Sequence, residues 1–268
     1  MALPYIIWMA VMIVLPMLLI LMYAFTSKGN DVTTFRFTLE NFGKFFSDPI
    51  FLDVLKRSLL IAVITTVICI ILGYPAAYII ANSKPKTKIM LVLLITIPMW
   101  INMLLRTYAW MNLLADNGII NNLLAKIGLG PISMMYTDFS VMVGLICNFM
   151  PFMIIPIHTS LNKMDKSLIE AAYDLGANRF QTFWKVIWKL SLPGVVNGIM
   201  MVFLLAISSF VIPKLLGGGQ YMLIGNLIES QFISVGDWNF GSAISMILAV
   251  IILISMSLMK RMDKEKGE

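Results

Sequence analysis

The sequence predicts an all-α integral membrane protein of six transmembrane helices, carrying a helix–turn–helix loop on its cytoplasmic face. Three observations lead there. Six apolar runs each reach the roughly 20 helical residues that a bilayer crossing needs. Hydrophobic side chains make up 59% of the 268 residues and charged ones only 13%, too few to cover a soluble surface, which uses about 25%. Basic residues also crowd into alternate loops. In lipid each lone segment has to satisfy its own backbone N–H and C=O groups, so each run is a helix. This composition excludes an ordinary soluble enzyme, a disordered chain and a nucleic-acid-binding module.

The first span, Pro4–Phe25, has no Lys or Arg before it and no small-x-small cleavage site after it, so it reads as a retained helix rather than a signal peptide. The long loop Thr26–Arg57 holds five basic and four acidic residues. The second span, Ser58–Ala81, contains Gly73-Tyr74-Pro75, and Asn82–Lys88 follows with three lysines and no acid. Ile89–Leu114 is the third span, with Pro98 and the charged Arg106 inside it. Phe139–Leu161 is the fourth, with Pro151, Pro156 and the single histidine, His158. The fifth, Leu192–Leu216, has Pro213 just ahead of Gly217-Gly218-Gly219, and the sixth is Gly241–Met259. A proline in a span frees a carbonyl that neighbouring helices can satisfy, and such kinks serve transport pathways and plain packing alike. Cys69 and Cys147 fall inside spans and imply no disulfide framework. No repeat or soluble domain interrupts the chain, so 1–268 reads as a single transmembrane domain.

Orientation follows from the loops. Asn82–Lys88, Asn162–Ser191 and the tail from Lys260 together hold twelve basic and six acidic residues, the whole of the formal +6. By the positive-inside rule these segments face the cytoplasm, and six spans place both termini there. The basic balance is therefore topology, and it calls for no anionic partner.

The cytoplasmic loop 162–191 is too long and too patterned for a simple connector. Its first half spaces Met164, Leu168, Ala171, Ala172 and Leu175 by three or four, and its second half does the same with Phe180, Phe183, Trp184 and Ile187. Gly176-Ala177-Asn178 separates these two amphipathic helices. Local reasons exist for each marker: Ser167-x-x-Glu170 matches a capping box, Gly176 sits where a helix end needs a left-handed residue, and the aromatics suit a membrane interface. Such a unit lies on lipid or docks into a partner.

Glu170-Ala171-Ala172, three residues, Gly176, nine residues and Val186 resembles the "EAA" loop of importer-type ABC transporter permeases. The familiar x-Leu-Pro after the apolar position is delayed here to Leu192-Pro193. The resemblance implies a coupling helix seated in a cytoplasmic ATPase, with Glu170, Ala171, Ala172, Asp174, Gly176 and Ala177 at the contact. It also implies the fold of six transmembrane helices of the ABC importer permease type. Over nearly the whole chain, the segments Leu72–Tyr78, Pro98–Met111, Leu168–Phe183, and Leu223–Phe232 with Asp237–Ala243, look like the first of the two permease subunits of spermidine/putrescine importers. The implied partners are a second homologous permease subunit, a dimer of ABC ATPase subunits, an extracytoplasmic substrate-binding protein and the lipid of a bacterial cell membrane. No cofactor is expected in this chain; ATP and Mg would sit in the ATPase. Permeases for other small solutes share the scaffold.

A polyamine is a flexible polycation, held by aromatic faces and carboxylates. Trp100, Tyr108 and Trp110 supply aromatic faces, Asn102 and Asn226 polar contacts, and Glu229 and Asp237 carboxylates. Tyr108 and Trp110 equally suit an interfacial aromatic belt, whereas Trp100, nearer mid-span beside Pro98, is the stronger pathway residue. Arg106 would repel a polycation and reads as a structural pair or a headgroup contact.

Other classes fit less well. His158 has no Asp, Glu or Cys at ligand spacing, so no metal site or catalytic pair is expected. The GxxxxGK[ST] phosphate loop is absent, so ATP-driven work has to come from another subunit. An ion-coupled secondary transporter is the main alternative, yet none of the six spans contains the Asp or Glu such carriers use. An assembly scaffold is the third reading.

Overall fold

The computed structural model describes residues 6, 8–27, 36–219 and 221–264. Pro4, Lys28 and Lys266, used above for the first span and the charge balance, lie outside the described residues. Among the described residues twelve helices follow one another: α1 Ala10–Ala24, α2 Glu40–Ser47, α3 Pro49–Ala81, α4 Pro85–Trp100, α5 Met103–Leu114, α6 Ile119–Lys126, α7 Asp138–Lys163, α8 Ser167–Asp174, α9 Arg179–Ile207, α10 Val211–Leu216, α11 Ile224–Ser230 and α12 Trp238–Lys264. Among the described residues the β-structure is a single antiparallel bridge, Thr26 with Phe37.

Among the described residues four helices, α3, α7, α9 and α12, are long and apolar enough to cross a membrane, and the bent pair α4 with α5–α6 is apolar enough to add a fifth if it forms one span. Helix α1 is apolar too, with 15 described residues. The boundaries differ from expectation in three instructive places. Helix α3 begins at Pro49, well before Ser58, because Asp48 accepts from the Ile50 N–H (2.9 Å) and Pro49 supplies the fixed φ of a first helical residue. The third expected span is not one straight helix: α4 ends at Trp100, Ile101 is extended, and the chain bends by 97° into α5–α6, Met103–Lys126. The fifth span stops at Ile207, and Ser208–Phe210 separate α9 from the short α10.

The chain forms two compact units. The first holds residues up to Ser58 and Met222–Ser255. There Asn239 Nδ2 donates to the carbonyls of Tyr23 (3.0 Å) and Thr26 (2.9 Å), and Asn41 Nδ2 donates to those of Ala24 and Thr26. These side chains satisfy the last carbonyls of α1, which an apolar helix end would otherwise leave bare. Phe45 and Phe240 are fully buried around Phe51, and Ser58 Oγ accepts from the Ile224 N–H at 2.7 Å to fix the start of α11.

The second unit, Leu59–Tyr221 with Met256 onward, is built around α7. Its buried face runs Val141, Gly144, Leu145, Asn148, Phe149, Met153 and Ile157, the three-and-four spacing of a helix surrounded by helices. Small residues set the approach of α9. A Cβ on Gly194 would lie 2.5 Å from Ser160 Cβ, and one on Gly198 would lie 2.7 Å from Met153 Sδ. Only glycine lets these backbones pack so closely, as helix pairs in lipid do.

Candidate functional site

Helix α7 ends at Lys163, Met164 is extended, and α8 starts at Ser167. The expected capping box between Ser167 and Glu170 does not form. Asp165 does that work instead, its Oδ1 accepting from the Ser167 N–H at 3.0 Å. Bonds from the Ser167 backbone N–H, and then its side chain, hold the Asp165 carboxyl below the ordinary carboxylate range. With the cap supplied from upstream, the Glu170 side chain stands exposed.

At the other end Gly176 adopts φ +79°, as its position demanded. Its N–H bonds to Tyr173 O (2.9 Å) and the Ala177 N–H reaches back to Ala172 O (3.0 Å), the paired bonds of a Schellman turn. Asn178 then opens α9 through a reciprocal cap with Gln181 (2.8 and 3.0 Å). The second amphipathic helix does not end before the fifth span. It widens into a π-helical turn over Phe183–Ile187 and runs on as one 29-residue helix to Ile207. Leu192-Pro193 sits inside it, so the delayed Leu-Pro marks no helix end.

The two faces of α8 have different fates. Ile169 and Ala172 turn toward the rest of the unit and are half-buried. Leu168, Ala171, Tyr173, Asp174 and Leu175 are exposed, Leu175 at 88% of its surface. Ala177 is half-buried beside the turn. Phe180 and Trp184 extend the bare apolar surface along α9, Phe180 at 72%.

Behind that surface, α9 is clamped to α3. Phe183 packs edge-on against Tyr74 (5.9 Å between centroids) and Tyr78 (5.8 Å), and Trp188 lies 4.9 Å from Tyr74. The buried Tyr74 hydroxyl meets Ser191 Oγ at 2.9 Å, and Ser191 in turn donates to Trp188 O at 3.0 Å. These ring contacts and the Tyr74–Ser191 bond tie the start of α9 to α3. The sequence marked Tyr74 only as part of Gly-Tyr-Pro and passed over Ser191.

The expected pathway residues divide between the units. In the second, Trp100 closes α4 with 87% of its surface exposed, and Asn102 caps α5 by accepting from the Leu104 N–H at 2.8 Å. Tyr108 is exposed and Trp110 half-buried on α5. Arg106 shows no structural pair: its Nε and Nη1 are buried without a hydrogen-bond partner among the described residues. Lys214, near the end of the fifth apolar run, is a second charge that sequence reasoning left unremarked. In the first unit Asn226 is buried and its Oδ1 accepts from the Leu223 N–H at 3.4 Å, capping α11. Glu229 is half-buried on α11, and Asp237 starts α12 by accepting from the Phe240 N–H at 3.1 Å. Among the described residues no group of three His, Cys, Asp or Glu is placed to hold a metal.

Residues 69–267 match the family described as binding-protein-dependent transport system inner membrane component. The spermidine/putrescine transport system permease protein PotB of Haemophilus influenzae is 37% identical over 260 residues, covering 96% of this chain and 91% of the relative. PotB of Escherichia coli K12 is 37% identical over 91% of this chain and 90% of its own, and the inner membrane ABC transporter permease protein YdcU of the same strain is 30% identical over 90% and 80%. A chain of the crystal structure of a bacterial ABC transporter importing the acidic polysaccharide alginate shares the fold, with a TM-score of 0.76 at 18% identity over 98% of this chain and 93% of its own. The chain is thus a multi-pass membrane permease and belongs to the family of inner membrane components of binding-protein-dependent transport systems.

Proposed function

We propose that this chain is one of two permease subunits of an ATP-driven importer that moves spermidine and putrescine into a bacterial cell. Identity to the PotB permeases that runs over nearly the whole chain supports the substrate class, and the bare face of α8 supports the coupling. In this reading 1–268 is one permease domain with six spans, α1 and the bent α4–α5 among them, and both termini lie in the cytoplasm. The chain does no chemistry. ATP and Mg belong to a dimer of ATPase subunits, which grips α8 at Glu170, Ala171, Ala172, Asp174, Gly176 and Ala177.

Substrate arrives from an extracytoplasmic binding protein; a bacterial alginate ABC transporter that shares this fold has been solved in complex with its alginate pentasaccharide-bound periplasmic protein. Closure of the ATPase dimer pulls α8, and α9 and α3 follow as levers through the Tyr74 clamp. Trp100, Asn102, Tyr108, Trp110, Asn226, Glu229 and Asp237 contribute to the pathway. Cysteines placed at Ala171, the exposed member of the pair of alanines, and in the ATPase cleft test the docking. A crosslink that changes yield with nucleotide is expected; no crosslink in an assembled complex contradicts it.

A further inference from the structure

The end of α3, the start of α4, the end of α7, the inner side of α8 and Ile187 of α9 surround a cavity of about 200 Å³, lined among others by Tyr78, Asn82, Lys88, Asn162, Lys166 and Tyr173. Its polar lining contains two ammonium groups, two phenols and two amides, and no carboxylate. Lys88 is half-buried and donates to Asn162 Oδ1 at 2.7 Å, a bond between two residues of the lining. Lys166 has no carboxylate partner among the described residues, and neither do Lys84, Lys86 and Lys88. The nearest acid in sequence, Asp165, spends Oδ1 on the Ser167 N–H. Amides and phenols beside unpaired lysines suit an oxyanion, which accepts from every one of these groups.

The site's level narrows the choice of oxyanion. The apolar helices α3 and α7 end, and α4 begins, within a few residues of it, so it lies where apolar span gives way to headgroups. Its volume suits a phosphate with a short polar substituent, well below the range of drug-sized pockets. We propose that this cavity binds the phosphate headgroup of an anionic phospholipid of the inner leaflet, wedged under α8. The inference rests on the cytoplasmic placement of the loop proposed above. A bound lipid would support α8 from behind while its opposite face docks the partner.

The test uses the assembled importer in zwitterionic nanodiscs doped with phosphatidylglycerol, with bound lipid read by native mass spectrometry. The wild type is expected to retain phosphatidylglycerol over phosphatidylethanolamine. Lys88→Gln with Lys166→Gln should weaken retention on the order of tenfold to thirtyfold, in keeping with two lysines at a membrane surface. Lys84→Gln with Lys86→Gln, which removes equal charge outside the lining, should leave it unchanged. Equal loss in both pairs would overturn the site in favour of diffuse attraction. Inorganic phosphate displacing the lipid at low millimolar concentration would overturn the lipid as occupant and assign free phosphate. Because binding is read without transport, its failure leaves the importer reading untouched, and a failed uptake assay leaves the lipid site untouched.

Discussion

Gly176 carries the sharpest residue-scale consequence. With φ at +79° and a Schellman turn behind it, a Cβ meets no neighbour but strains the backbone, at roughly 1–2 kcal/mol for a left-handed L-residue. Gly176→Ala is expected to loosen the last turn of α8, seen as faster amide exchange at Tyr173–Ala177 with the spans unaffected. Asp165 gives a pH dependence. Its folded-state pKa is lowered, so its capping contribution is complete above the unfolded value of about 3.9 and is lost as pH falls through the folded value. The first turn of α8 should therefore stay protected from amide exchange at neutral pH and open in acid. In Asp165→Asn that difference between neutral and acid pH should vanish. The reading from sequence found the left-handed glycine because only a helix stop explains it between two periodic runs. It assigned the cap to the wrong residue because Ser167-x-x-Glu170 and Asp165-x-Ser167 are both valid capping geometries, and a string of letters does not rank them.

At the scale of elements, apolar length was legible and breaks were not. The run Ile89–Leu114 has no change of composition at Trp100, so it read as one span; Pro98 followed by Asn102 was the available signal, and the cap by Asn102 is what lets a new helix start there. Helices α2 and α11 were missed because they are short and lie in polar surroundings, though Phe45, and Ile224 with Leu227, are buried. The continuity of α9 was hidden by a loop-to-span change in polarity that the backbone ignores. Two predictions belong here. Gly194→Leu should separate α7 from α9, since its first carbon already falls 2.5 Å from Ser160 Cβ. Overpacking of this kind costs about 1–3 kcal/mol or more, and the yield of folded, detergent-monodisperse protein should drop. Tyr74→Phe keeps the aromatic contacts and removes only the bond to Ser191, worth about 1 kcal/mol. The expected outcome is a few-fold fall in substrate moved per ATP, with assembly and basal ATP hydrolysis retained.

On the scale of the whole molecule, the low charge content and the basic balance describe one design. Charge sits at the loops, with Arg106 and Lys214 the exceptions, and no acid lies within the six expected spans to carry a coupling ion. In the proposed importer, energy arrives by contact with the ATPase at the bare face of α8. The pathway was the least legible part: Asn102, Asn226 and Asp237 were picked for polarity, and each turns out to cap a helix, a local duty that the same residue types perform everywhere. The most direct test is uptake of labelled spermidine into proteoliposomes holding the assembled importer, with ATP supplied on the ATPase side. Uptake that requires ATP and the ATPase subunits and withstands a protonophore is the predicted result; uptake that persists without the ATPase and collapses with the protonophore would contradict it.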